Sequence, residues 1–259
     1  MFRVELKKQW IRRKTLARLI LYFGLFLFIF IFNYYIHKGG FRYIEGYDFV
    51  RIFVSNIVTT LLPLFIFIDI IIDFVREYSI GTIMLYPFED VSRVNYITSK
   101  ILNAYLKSLI VFLFLFLLLF LSSFLFFNLG PYLIEDILLS SLQQVCRTAV
   151  VFGHYFLLIN IFLTVGYLLV TLLNGNLATS LGIVVFSYFL YSMGHGAIRL
   201  SFFRNLSAIS LILVEAKITP MLQIAIIKGF GQLLIVNITL FLVLIYRFSV
   251  VDILSNERG

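Results

Sequence analysis

Three acidic residues recur at a fixed interval near the end of a strongly apolar stretch. Asp69, Asp73 and Glu77 are each four residues apart, and side chains at i, i+4 and i+8 lie on one face of a helix. Ionisable groups within apolar helices are expensive and often mark functional positions. Two interpretations stay open. The carboxylates solvate a helix end, with Arg76 paired to Asp73, or they form an acidic face that docks a basic partner or holds an inner gate.

Single polar residues interrupt two other apolar stretches, at His154 and Asn160 and again at Asn237. A polar group at such a position can line a pathway through a membrane. It can also simply bond a neighbouring helix, which is worth about 0.6 to 2 kcal/mol. Both readings stay open, and with Asp69 these residues are the possible pathway positions.

The sequence carries no recognisable catalytic motif. A phosphate-binding loop G-x-x-x-x-G-K-[ST] is absent, as are H-E-x-x-H, G-x-S-x-G and C-x-x-C, which excludes ATP hydrolysis by the first of these routes. His37, His154 and His195 are far apart, and the single cysteine, Cys146, is interpreted as an apolar filler. We therefore expect no catalytic residue, no metal site and no cofactor bound by this chain.

Composition decides which elements position these residues. Hydrophobic residues make up 61% of the 259-residue chain and charged residues 13%, about half of what a soluble surface needs. A membrane span takes about 20 apolar residues as a helix. The sequence predicts an all-α, polytopic integral membrane protein, a single transmembrane domain over residues 1–259. Its six transmembrane helices are expected at residues 19–36, 52–72, 109–127, 148–173, 177–193 and 228–246.

Charge distribution predicts the orientation of these helices. Seven of the 21 Lys and Arg residues lie among the first eighteen residues, as in a cytoplasmic end that precedes a first span. With both termini cytoplasmic, the inside segments hold 13 Lys and Arg residues and the outside segments 8. The net charge of +8 is thus explained by contact with the lipid bilayer, and we expect no nucleic-acid partner.

Two segments next to the spans have helical periodicity. Phe2, Leu6 and Trp10 fall on one face of residues 1–18, which predicts an N-terminal interfacial amphipathic helix, although a plain basic tail is the alternative. Apolar residues also recur at helical spacing within residues 199–222. We interpret this stretch as an external or re-entrant helical segment, with an irregular loop as the alternative.

Residues 74–108 form the longest predicted cytoplasmic connection. Gly81 and Thr82 can end the helix that leaves the second span, and Glu89 can begin another helix with an acidic first turn. A short helix lying parallel to the membrane there could transmit force to the spans on either side, because packed helices move as rigid bodies.

The motif residues of this connection resemble the ABC-2 type permease family, the membrane subunits of ABC exporters. The family pattern is Asp, Glu, Gly-Thr, Ser-Arg and then a Lys that opens the next span. Asp90 stands where the family usually carries Pro, and a proline occurs earlier, at Pro87. The matching residues, in order, are Asp73, Glu77, Gly81, Thr82, Ser92, Arg93 and Lys100.

The resemblance implies a permease that pairs with a second permease subunit, identical or not, and binds separate ABC ATPase subunits that carry ATP and Mg. Residues 74–108, including Glu89 and Asp90, would then couple ATP hydrolysis to movement of the spans. The apolar spans favour a hydrophobic or amphipathic peptide, an antimicrobial or a lipid-like cargo, exported through the cell membrane of a bacterium.

Two other functions stay open. An intramembrane enzyme would use His154, His195, Asp69 and Asp73. The predicted topology, however, places Asp69 near the inner surface of the membrane and His195 near the outer one. The other is a non-transporting membrane scaffold or sensor. An ATPase that co-purifies with the chain would argue against both.

Overall fold

A computed structural model describes residues 13–39, 45–79, 93–134, 137–173, 176–194, 212–213 and 219–250. These residues are mostly helical. The helices are α1 (Arg13–Lys38), α2 (Gly46–Phe53), a π-helical segment (Val54–Leu61), α3 (Leu62–Ser79), α4 (Arg93–Phe126), α5 (Ser141–Leu172), α6 (Leu177–Gly194) and α7 (Pro220–Val250). Two short strands, β1 (Tyr132–Ile134) and β2 (Ile137–Leu139), pair antiparallel between α4 and α5.

Five helical runs are long and apolar enough to cross a membrane, which indicates a multi-pass membrane protein. They are Ile20–Lys38, Gly46–Glu77, Val94–Phe126, Ser141–Leu172 and Pro220–Ser249. The remaining predicted span, residues 177–193, corresponds to α6, whose apolar part among the described residues, Leu177–Phe189, is shorter than the five runs above.

Several helices extend beyond the predicted spans. Helix α4 begins at Arg93 and runs without a break into the span that was predicted to begin at residue 109, so residues 93–108 form no separate connection. Helix α7 begins at Pro220, within the predicted external segment 199–222. Of that segment the structure otherwise describes residues 212–213 and 219, and the predicted interfacial positions Phe2, Leu6 and Trp10 lie outside the described residues.

Helix α5 lies at the centre of the bundle and packs against α3, α4, α6 and α7. Gly166 leaves room for the Ile71 side chain of α3, because a Cβ at Gly166 would lie 2.6 Å from Cδ1 of Ile71. Aromatic rings fill the contact with α4, where Phe112 and Phe152 meet edge to face at 5.9 Å. Such ring pairs add about 0.5 to 1.5 kcal/mol beyond their burial.

A π-helical segment, Val54–Leu61, lies just before Pro63. Proline has no N–H to donate to the carbonyl of Thr59, so another donor must satisfy that carbonyl. The hydroxyl of Tyr188 on α6 donates to it. The hydroxyl of Thr59 donates to the carbonyl of Ser55, at 2.5 Å.

A compact cap closes the end of the bundle at which α2 begins. The β-hairpin, absent from the all-α prediction, packs here, and the Tyr132 hydroxyl donates to Oδ1 of Asp48 at 2.7 Å. A Cβ at Gly46 would lie 2.7 Å from the Cα of Leu129, so only glycine fits at this backbone crossing. Buried Arg147 donates to the carbonyl of Ile212 at 3.1 Å.

Candidate functional site: an ion-paired cluster between α3 and α4

The predicted acidic face lies on the last turns of α3. Carboxylates are unfavourable there, because the carbonyl end of a helix carries a partial negative charge. Asp73 and Glu77 are half-buried and face basic side chains of α4. We call the group formed by Asp73, Glu77, Tyr96, Lys100 and Lys107 the charged cluster.

The shortest contact in the charged cluster joins Lys100 to Glu77. The Lys100 Nζ lies 2.6 Å from Oε2 of Glu77, and the lysine side chain is only 5% exposed. The Tyr96 hydroxyl donates to the same carboxylate oxygen at 3.0 Å, and the Lys100 ammonium lies 5.5 Å from the centroid of the Tyr96 ring. The lysine charge is therefore balanced by a carboxylate and by an aromatic face.

A second, longer ion pair lies one turn earlier on α3. The Lys107 Nζ is 3.8 Å from Oδ2 of Asp73, and both side chains are more exposed than Lys100. Tyr167 of α5 closes the cluster on the apolar side, where its ring meets Phe74 edge to face at 4.2 Å. Two acids thus oppose two lysines.

The space inside the charged cluster is too small for a substrate. The cavity that Asp73, Glu77, Lys100, Lys107 and Tyr167 line has a volume of about 10 Å³, about that of one water probe. The contacts of these side chains are with one another. What the arrangement can do is hold α3 and α4 together.

The polar residues considered for a pathway lie at helix contacts. The amide oxygen of Asn160 accepts from the hydroxyl of Ser108 on α4, at 3.0 Å. The Asn237 amide donates to the carbonyl of Leu157 on α5, at 3.1 Å. His154 is buried, and its ring lies 6.3 Å from that of Phe230 on α7.

A further hydrogen bond continues this polar contact between α4 and α5. The hydroxyls of Tyr105 and Thr164 lie 2.5 Å apart. Asp69 is half-buried on α3, one turn before Asp73. Asn160 and Asn237 thus bond neighbouring helices.

The other predicted coupling positions have different places. Arg93 is the first residue of α4. Lys100, which matches the lysine that opens the next span in the family pattern, is buried inside the bundle. Outside the described residues lie the remaining predicted coupling positions, Gly81, Thr82, Glu89, Asp90 and Ser92.

Sequence reasoning missed the basic side of the cluster. Lys100 and Lys107 are seven residues apart, and Tyr96 precedes Lys100 by four. This spacing places all three on one face of a helix, opposite acids that share the same period. The spacing could have predicted the ion pairs between α3 and α4, but only if helix α4 had been recognised as beginning before its apolar part.

Comparison with known proteins gives no assignment. No family model, no curated protein and no solved structure matches the chain. The resemblance therefore depends on the motif residues, and functional inference depends on the geometry above.

Proposed function

We propose that the chain is the membrane-spanning permease subunit of an ATP-driven ABC exporter, with ATP hydrolysis carried out by separate ATPase subunits. The position of the charged cluster carries this proposal. Glu77 and Lys100 tie the end of α3 to the first turns of α4, on either side of residues 80–92. Gly81-Thr82 and Ser92 of the family pattern fall within those residues, so the tie flanks the predicted coupling region.

The ion pairs supply a mechanical role for the cluster. A soluble ATPase that pressed on residues 80–92 would move α3 and α4 together, because Lys100 and Glu77 oppose sliding of one helix past the other. Both helices pack on α5. Movement of the connection would thereby reach the centre of the bundle, as expected for helices that move as rigid bodies.

An apolar groove between α4 and α5 supports a hydrophobic or amphipathic cargo. Its volume is about 200 Å³, and its walls carry four phenylalanine rings above a glycine and an alanine. A peptide with apolar side chains, an antimicrobial or a lipid chain suits such walls. The residues concerned are Phe112, Phe116, Phe152, Phe156, Gly153 and Ala149.

The assembly completes the proposal. Six spans, with α6 as the shortest, would place both termini in the cytoplasm of a bacterium, and residues 1–18 would lie on the inner surface of the cell membrane. A second permease subunit, identical or related, would complete the path for the cargo.

Geometry favours this function over an intramembrane enzyme. Such an enzyme needs His154 close to Asp69 and Asp73. Tyr167 lines the same cavity as Asp73, and His154 precedes Tyr167 on α5 by thirteen residues, roughly 20 Å along the helix axis. That distance exceeds the reach of side chains that act on one bond.

Affinity purification from native membranes tests the proposal. We expect a nucleotide-hydrolysing subunit to co-purify, ATP hydrolysis to require it, and amphipathic peptides or lipids to stimulate hydrolysis while ions and sugars do not. Glu89→Lys should leave hydrolysis intact and abolish transport, whereas Glu45→Lys, at the opposite end of the bundle, should change neither. Hydrolysis by the chain alone, or the absence of any such subunit, would contradict the proposal.

A further inference from the structure

The π-helical segment carries polar side chains on the outside of the bundle. Ser55 and Asn56 are exposed, and Thr59 and Thr60 are partly exposed. We call these four residues the polar patch. The adjoining outward positions on the same side of α3, Leu64, Ile68 and Ile72, are apolar, so an apolar stretch separates the polar patch from the charged end of α3.

The length of the helical run gives the depth of the polar patch when the run is centred in a bilayer. The run Gly46–Glu77 has 32 residues and is about 48 Å long, against about 30 Å of hydrocarbon. If the run is centred in the bilayer, the residues beyond about 9 Å from either end lie in hydrocarbon. Asn56 is about 15 Å from the start of the run, so its amide meets lipid unless another protein surface covers it.

The outward faces of α1 and of the apolar part of α4 are apolar, whereas α7 exposes Lys228 and Thr239. The exposed large side chains of residues 20–35 of α1 and 109–126 of α4 are leucine, isoleucine, phenylalanine and one tyrosine, as expected for contact with acyl chains. Representative members are Phe28, Ile31 and Phe32 on α1 and Leu113, Leu117 and Leu121 on α4. The polar patch departs from that pattern.

Of the polar patch, Asn56 has hydrogen-bonding groups that are left over. The hydroxyls of Ser55 and Thr59 donate to backbone carbonyls of the preceding turn. One amide N–H of Asn56 donates to the carbonyl of Ile52 at 2.8 Å. Within the part of the chain that the structure describes, its amide oxygen and second N–H make no hydrogen bond. Lipid tails offer neither a donor nor an acceptor.

We propose that the polar patch is the contact surface for a second copy of this chain, with Asn56 of each copy bonded to the other. A two-fold interface brings the same residues of both copies together, and a carboxamide is self-complementary because it donates and accepts. Interhelical amide and hydroxyl hydrogen bonds drive association within membranes. This inference locates the pairing that the proposed function calls for, but it needs no ATPase.

Disulfide cross-linking in native membranes tests the surface. Cys146 is first replaced by serine, and Asn56→Cys is then oxidised beside the matched control Leu117→Cys, whose side chain is 67% exposed on α4. We expect a cross-linked dimer from Asn56→Cys and none from Leu117→Cys. Equal cross-linking of the two variants, or none in either, would overturn the proposal.

Dimer affinity in lipid vesicles gives a second readout. Asn56→Leu should fold normally, because the side chain is exposed, and should weaken dimerisation about 3-fold to 30-fold, the worth of one interhelical hydrogen bond. Asn56→Gln should retain the affinity. An Asn56→Leu variant that dimerises with wild-type affinity would contradict the proposed contact surface. So would rapid reaction of the Asn56→Cys variant with a water-soluble thiol reagent without cross-linking, which would show that the patch faces a hydrated path. Loss of the surface with a bound ATPase retained would leave the proposed function standing.

Discussion

At the residue scale, the contact between Lys100 and Glu77 is where a single substitution should have its largest effect. Removing one member of a buried ion pair leaves the other charge uncompensated, which costs about 3 to 5 kcal/mol. Glu77 is 29% exposed, so water relieves part of this penalty. We expect Lys100→Met to lower the free energy of unfolding by about 3 kcal/mol, measured by reversible unfolding in mixed micelles.

Two variants separate the charge effect from a packing effect. The double variant Lys100→Met/Glu77→Gln removes both charges and should be more stable than Lys100→Met alone. Lys107→Met breaks the longer pair with Asp73, between more exposed side chains, and should cost less than about 1 kcal/mol. If the double variant is no more stable than Lys100→Met, the ion pair is not what holds α3 to α4.

The hydrogen bond from Tyr132 to Asp48 predicts a pH dependence at the cap. Burial, and then the bond to Asp48 and its negative charge, raise the pKa of Tyr132 above its ordinary value of 10.0. A raised folded-state pKa means that the tyrosine stabilises the fold fully below pH 10.0 and loses this contribution as pH rises through the folded-state pKa. The stability of wild type should therefore approach that of Tyr132→Phe only above pH 10.0.

Unfolding curves of the two proteins at a series of pH values measure this difference. At neutral pH, Tyr132→Phe should be less stable by about 1 kcal/mol, the usual worth of one hydrogen bond. A difference that shrinks below the ordinary tyrosine pKa would show that another group is responsible. A difference that never appears would show that the hairpin is held without this bond.

At the element scale, the contact between α6 and the π-helical segment depends on Pro63 and Tyr188. Pro63 leaves the Thr59 carbonyl without its helical donor, and the Tyr188 hydroxyl replaces it. Tyr188→Phe should cost about 1 to 3 kcal/mol, because the carbonyl is left unsatisfied in an apolar environment. In a Pro63→Ala background the new backbone N–H can donate instead, and Tyr188→Phe should then cost much less.

A double-mutant cycle over Pro63→Ala and Tyr188→Phe measures this coupling by unfolding in micelles. Gly182→Ala on α6 serves as the control, since a Cβ there meets no atom within 4 Å. Additive effects of the two substitutions would mean that Tyr188 acts through ring packing with Phe67 and Phe162 alone.

The positions of these helices could be predicted from the sequence, but the contacts between them could not. Hydropathy located five of the six predicted helices well, because the cost of placing backbone in lipid dominates local preference. It placed the start of the third helix too late, at residue 109 instead of Arg93. Lysines such as Lys100 and Lys107 lower the local hydropathy, so the part of the helix that extends past the hydrocarbon was not recognised. The spacing of the acids on α3 was readable, but their partners depend on how α4 is rotated.

Tertiary contacts account for the features that sequence missed. Pro63 removes a backbone donor that is visible in the sequence as missing, but the donor that replaces it comes from Tyr188, far along the chain. Strands β1 and β2 have three residues each, too short for a periodic signal. Their position depends on Asp48 and on the glycine at Gly46, which no local pattern reveals.

At the scale of the whole molecule, contacts along α4 give the direction of the first and last helices. The later part of α1 meets the end of α4, where Phe30 packs on Phe126 and Phe127, so α1 runs parallel to α4. The end of α7 meets the beginning of α4, where Phe248 stacks on Tyr96 at 6.4 Å, so α7 runs antiparallel to it. The start of α1 and the end of α7 therefore lie at the same end of the bundle.

This arrangement predicts that both termini lie on one side of the membrane and the β-hairpin on the other, which requires an even number of crossings and thus a crossing by α6. With Cys146 replaced by serine, a cysteine is added at the N-terminus, at the C-terminus or at exposed Leu138 of β2. A membrane-impermeant thiol reagent should label Leu138→Cys in intact cells and the terminal cysteines only in inverted vesicles. Labelling of the two termini from opposite sides would mean that α6 does not cross, since the five long helices alone separate the ends.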